Sequence, residues 1–126
     1  MEPKQVLVVD DEDGIREVAA LSLEAVGGYE VLTADSGSNC VRQAAEHQPD
    51  AILLDVMMPG MDGPATFATL QSNSATRDIP VILLTAKVQA ADHRRFAELG
   101  VAAVFAKPFD PMALPGQLAG VLGWRS

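Results

Sequence analysis

Aromatic side chains are scarce: four Phe, one Tyr and one Trp make up 5% of 126 residues. A core for this chain must therefore be built from Val, Leu, Ile, Ala and Met. There is a single cysteine, Cys40. It cannot close an internal disulfide, so nothing points to an oxidising compartment and a cytoplasmic location is expected. Basic residues are few, 9 against 17 acids, for a net charge of −8. That balance disfavours nucleic acid and anionic membranes, both of which select cationic surfaces. No apolar run approaches the roughly 20 residues that span a bilayer. The first run, Val6–Val9, is also too short for the core of a signal peptide. Neither G-x-G-x-x-G nor G-x-x-x-x-G-K-[ST] follows a strand-like run, which removes nucleotide binding through those loops. Internal repeats and low-complexity tracts are missing as well.

What is present is ordinary for a globular protein: 48% hydrophobic and 21% charged residues. The length suits one domain, residues 1–126, with no room for a second. Five apolar runs recur at Val6–Val9, Val31–Ala34, Ala51–Leu54, Val81–Leu84 and Ala102–Ala106. Their apolar character is continuous rather than alternating, which predicts strands buried on both faces of a parallel sheet. Between them lie segments of helical period near Gly14–Val26, Ser38–His47, Pro64–Gln71, Ala90–Leu99 and Pro111–Leu122. In the first, a count of 100° per residue places Ile15, Val18, Ala19, Leu21 and Val26 on the buried stripe, with Arg16, Glu17 and Glu24 opposite. Asp13 is the expected cap of that helix. In the last, Leu114, Leu118, Val121 and Leu122 form the expected core stripe, and Pro115 predicts a bend or a short 3₁₀ piece. Strand and helix alternate five times, which predicts an α/β fold with right-handed crossovers.

The polar residues of interest follow the strands. Asp10 and Asp11 follow the first, Asp55 the third, Thr85 the fourth and Lys107 the fifth. In an open parallel sheet all these positions share one edge, where ligands bind. Three carboxylates there repel each other unless a cation sits among them, and hard oxygen donors suit Mg²⁺. A lysine adds a point charge fit for a phosphoryl oxygen, and a threonine adds a hydroxyl donor. Carboxylate nucleophile, metal, cation and hydroxyl together are what phosphoryl transfer to Asp requires. Each piece alone has a plainer use. Acids between strand and helix often only start the helix, and a Lys-Pro step is often a solvated turn. Their joint occurrence, in order, at successive strand ends is what carries the chemistry.

The stretches VLVVDDED, LLDVMMPGMDG, VILLTA and FAKPFDP together resemble the receiver domains of response regulators in two-component signalling, notably the stand-alone chemotaxis type. The resemblance covers essentially the whole chain. It implies a doubly wound, flavodoxin-like sheet of five parallel strands in the order 2-1-3-4-5 with five helices. It implies Asp55 as phosphoacceptor, Asp10 and Asp11 as Mg²⁺ ligands with Asp55 and the backbone carbonyl of Met57, and Thr85 and Lys107 on the phosphoryl group. Pro108 would follow a cis peptide bond. The implied partners are a sensor histidine kinase or a histidine phosphotransfer protein, and a downstream protein target. The implied chain is not an enzyme beyond assisting its own phosphotransfer and autodephosphorylation, and it carries no output domain. A homodimer through the fourth helix, fifth strand and fifth helix is a further implication. The alternative is a pseudo-receiver, a protein-binding module that never takes phosphate. Loss of Asp11, Asp55, Thr85 or Lys107 would favour it, and none is lost.

Two departures stand out. The position three before Lys107, often aromatic in the family, is Val104, while strand alternation points Phe105 to the opposite face. Met57 and Lys87, each two residues after a site residue, offer no carboxylate or amide to orient a water, so a long phosphoryl lifetime is expected. Cys40 reads as a buried small hydrophobe, and His47 and His93 as solvated helix residues.

Overall fold

The computed structural model describes residues 3–86 and 90–124; Lys87 lies outside them. The strands are β1 Gln5–Val9, β2 Glu30–Ala34, β3 Ala51–Asp55, β4 Val81–Thr85 and β5 Ala103–Ala106. All pairings are parallel and the order is β2-β1-β3-β4-β5. The helices are α1 Asp13–Leu21, α2 Gly37–His47, α3 Gly63–Gln71, α4 Ala90–Ala97 and α5 Leu114–Leu122, with a π-helical turn, Ser22–Val26, continuing α1. The chain is thus the five-stranded, flavodoxin-like α/β sheet that the pattern and the resemblance imply.

Strand alternation divides the interior into two layers. Leu7, Val9, Ile52, Leu54 and Leu83 face the side covered by Cys40 and Ala44 of α2, Phe67 and Leu70 of α3, and Phe96 of α4. Val6, Val8, Leu53, Ile82 and Leu84 face Ala19 of α1, Leu23 of the π turn, and Leu114 and Leu118 of α5. Val104 packs in the first layer and Phe105 in the second, as alternation requires. Caps mark the helix starts: Ser36 accepts from the Asn39 amide at 3.1 Å and Asp62 from the Ala65 amide at 2.9 Å.

Several expectations are corrected. Only β1, β3 and β4 are buried on both faces; β2 and β5 are the sheet's edges and stay half open. The buried line of α1 and its π turn is Ala19, Ser22 and Leu23, while Val18 and Leu21 are 46% and 66% exposed. Periodicity passed over Ser22 because it is polar, yet its hydroxyl is satisfied by the Pro111 carbonyl. The wide π turn then breaks the 100° count, leaving Val26 outside as well. Asp13 is the first helical residue rather than the cap. The cap position is Glu12, and the side chain accepting its amide is Asp10, at 2.9 Å. The last helix begins three residues later than expected, at Leu114. Pro115 therefore sits in its first turn, where a missing N–H is harmless. Val121 faces outward, and Ala119 takes its place in the core.

Candidate functional site

Backbone register assembles the site. Val9 pairs with Leu54, so Asp10 and Asp55 leave adjacent strands side by side. Asp55 pairs with Leu84, which sets Thr85 one step further along β4. Thr85 pairs with Ala106, and its carbonyl accepts the Lys107 amide at 2.8 Å. Residues distant in sequence thus meet at the C-terminal edge of the sheet. Lys107 Nζ donates to Asp55 Oδ1 at 2.9 Å and to Asp10 Oδ2 at 3.0 Å. Asp10, Asp55 and Thr85 are buried and Asp11 is exposed. The Met57 amide lies 3.4 Å from Asp55 Oδ1, and the Lys107–Pro108 peptide is cis.

The electrostatics follow from burial. Desolvation raises the Asp55 pKa, the hydrogen bond from Lys107 opposes the rise, and the charge of Asp10 adds to it. Burial would pull the Lys107 pKa down, but hydrogen bonds to Asp55 and Asp10, with their charges, leave it raised. Lys107 therefore stays cationic. One cation facing three acids leaves a net negative pocket. An oxygen from each of Asp10, Asp11 and Asp55 lies within 4.8 Å of the others, a spacing and donor chemistry that fit one hard divalent cation.

The structure therefore unites all five side chains that the sequence nominated. It also brings in Arg16 and Gly63, to which the sequence reading assigned no role at the site, and Val18, which periodicity placed in the core. Arg16 reaches back from α1 to the Asp10 carbonyl at 2.8 Å. Gly63 packs so tightly that an added Cβ would lie 2.8 Å from both the Asp55 carbonyl oxygen and the Val56 Cα. Val18, with Ile15, Pro108 and Phe109, borders an apolar groove of about 610 Å³ that opens beside Lys107. The spacing of Asp13 and Arg16, three apart at a helix start, was the available signal for the first; the others needed the third dimension.

Residues 6–119 match the family model described as the response regulator receiver domain. The chain belongs to that family. The Pseudomonas aeruginosa phosphate regulon transcriptional regulatory protein PhoB is 40% identical over 119 residues, covering 94% of this chain and 52% of that protein. The chain thus spans about half the length of the curated relatives it matches. The Vibrio cholerae chemotaxis protein CheY4 superposes with a TM-score of 0.87 at 30% identity, covering 94% of this chain and 98% of that one. The receiver domain of a Syntrophus aciditrophicus signal transduction histidine kinase superposes with a TM-score of 0.83 at 32% identity, covering 95% and 90%. Receiver domains bind Mg²⁺ through acidic residues and work with histidine kinases in two-component signalling. Among the described residues, no helix is long and apolar enough to cross a membrane.

Proposed function

We propose that this receiver takes a phosphoryl group from a histidine kinase, or a histidine phosphotransfer protein, onto Asp55 and thereby changes its protein-binding surface. The observation that carries the reading is the bridge of Lys107 between Asp55 and Asp10 at 2.9 and 3.0 Å, beside a third carboxylate, Asp11. An Asp55 oxygen attacks phosphorus; the new O–P bond forms as the donor's P–N bond breaks, and the donor imidazole leaves with the electron pair. Lys107 then turns from the carboxylate to a phosphoryl oxygen, and the Thr85 hydroxyl meets another. Asp10, Asp11, Asp55 and the Met57 carbonyl would hold Mg²⁺, which supplies neutralisation of the phosphoryl charge. The apolar groove beside Lys107 offers the donor a surface continuous with the site. The role is that of a signalling protein in the cytoplasm which assists its own phosphorylation and dephosphorylation, not of a turnover enzyme.

Incubation with Mg²⁺ and acetyl phosphate, followed by intact-mass measurement, tests the reading. Wild type should gain one phosphoryl mass and Asp55→Asn none. A wild-type chain that stays unmodified would leave the pseudo-receiver alternative standing.

A further inference from the structure

We propose that Arg16 is a positioning residue for the acidic pocket: its guanidinium holds the loop carrying Asp10 and Asp11 and so raises the affinity for a divalent cation. The inference deepens the Mg²⁺ and phosphoacceptor reading above and rests on it. Asp10 stands where β1 stops. Its amide is held by the Ala34 carbonyl at 3.2 Å, the last bond on that side of the strand. Its own carbonyl has run out of ladder, and Arg16 Nη1 donates to it at 2.8 Å. The other arm of the fork, Nη2, pairs with the Asp13 carboxylate. The Arg16 backbone amide donates to the Glu12 carbonyl at 3.0 Å. One residue thereby ties down positions 10, 12 and 13, three of the four that turn strand into helix.

The consequence reaches the carboxylate. Fixing the Asp10 carbonyl fixes the peptide that leads to Asp11 and the direction in which both side chains leave the backbone. Asp10 Oδ1 is used by the Glu12 amide and Oδ2 by Lys107, so its orientation is set from both ends. Asp11 is exposed, and the tethered backbone on either side constrains it. Partners that orient metal ligands from outside the coordination sphere commonly change affinity about 10- to 100-fold when removed. Arg16 suits the task because its side chain is planar and forked, with donors for two acceptors at once; a lysine serves one acceptor well.

The charge of Arg16 makes the test decisive. A cation beside four acidic residues repels an incoming divalent cation. If Arg16 acted by charge alone, Arg16→Gln would bind Mg²⁺ more tightly and Arg16→Lys would match wild type. Positioning gives the reverse. Mg²⁺ titration by calorimetry on the unphosphorylated chain should show Arg16→Gln weakened about 10-fold or more, with Arg16→Lys between it and wild type. The Mg²⁺ concentration that half-saturates acetyl phosphate labelling should rise by the same factor, with the rate recovered at high Mg²⁺. Circular dichroism checks that both variants are folded, and Arg16→Lys keeps the test alive should Arg16→Gln fail. Equal or tighter binding by the variants overturns the role of Arg16 and leaves the site intact. Absence of Mg²⁺ binding by wild type overturns the reading beneath it.

Discussion

β3 and β5 both deliver a charged residue to the same site, and they are built differently. Every residue of β3, Ala51 to Asp55, is buried, with β1 on one side and β4 on the other. β5 is an edge strand, half open along its length and exposed at Ala106. Asp55 is thus anchored in a strand that cannot shift without disturbing both layers of the core. Lys107 follows a strand held on one side only. The buried acid is rigid and its cation adjustable, a division that suits the proposed phosphoryl transfer, in which the lysine would turn from carboxylate to phosphoryl oxygen.

The largest expected contrast is in stability. Leu54→Ala empties a fully buried site directly before Asp55 and should cost about 2–5 kcal/mol, while half-buried Val104→Ala should cost about 1 kcal/mol. Denaturant melts of the two variants measure it. Similar losses would mean that centre and edge are equally packed, and the contrast would fail.

Gly63 sharpens the same point at the backbone. Its Cβ-less approach to the Asp55 carbonyl, at a distance an added Cβ would reduce to 2.8 Å, leaves nothing flexible to give way. Gly63→Ala should cost about 1–3 kcal/mol. If Asp55 is the acceptor, as proposed, the substitution should also slow acetyl phosphate labelling, because the atoms it displaces belong to the peptide of Asp55. Full stability with unchanged labelling would show that the end of β3 can move.

These residues also show what could be read beforehand. The strands were legible to within a residue at either end because continuous apolar runs stop at polar residues, and those residues are the site. Asp10, Asp11, Asp55, Thr85 and Lys107 converge through sheet topology alone, which needs no side-chain detail. Arg16 was legible only as a polar residue on the outer face of α1. Its task depends on a side chain folding back to a carbonyl beyond the helix, which periodicity does not encode. Ser22 was invisible for the opposite reason: a polar residue enters the core face when one carbonyl, that of Pro111, satisfies it. Val18 was assigned to the core because hydrophobicity does not distinguish a core from a groove.

A smaller effect separates the rigid acid from its cation by pH. Burial disfavours the ionised form of Asp55 and raises its folded pKa. A raised carboxyl pKa means that ionisation weakens the fold at high pH, and that the penalty is relieved as pH falls through the folded value. Without Mg²⁺, Asp55→Asn should therefore melt higher than wild type at pH 7. The gap should close toward acid. Lys107 has the opposite sign: its raised pKa contributes stability below the ordinary lysine value, lost as pH rises through the folded one. Melting curves from pH 4 upward that show a constant gap would place the carboxylate outside the low-dielectric centre.

The smallest effect reverses the sign of the glycine substitution. On α5, Gly120 is exposed and an added Cβ would meet nothing within 4 Å. Its φ is in the helical range, so alanine adds no strain and removes freedom from the unfolded chain. Gly120→Ala should therefore stabilise by about 0.5–1 kcal/mol, where Gly63→Ala destabilises. The same outward face carries Gly116, Gln117 and Val121 and no charge. A helix that tolerates two glycines there is weaker than it needs to be for folding. If this face joins a second copy, Gly120→Glu should reduce sedimentation of the beryllofluoride-treated chain as a dimer, while Gly120→Ala leaves it unchanged. Stabilisation by alanine without any effect of glutamate on association would mark the outward face of α5 as no interface, in contrast to the tightly packed backbone at Gly63.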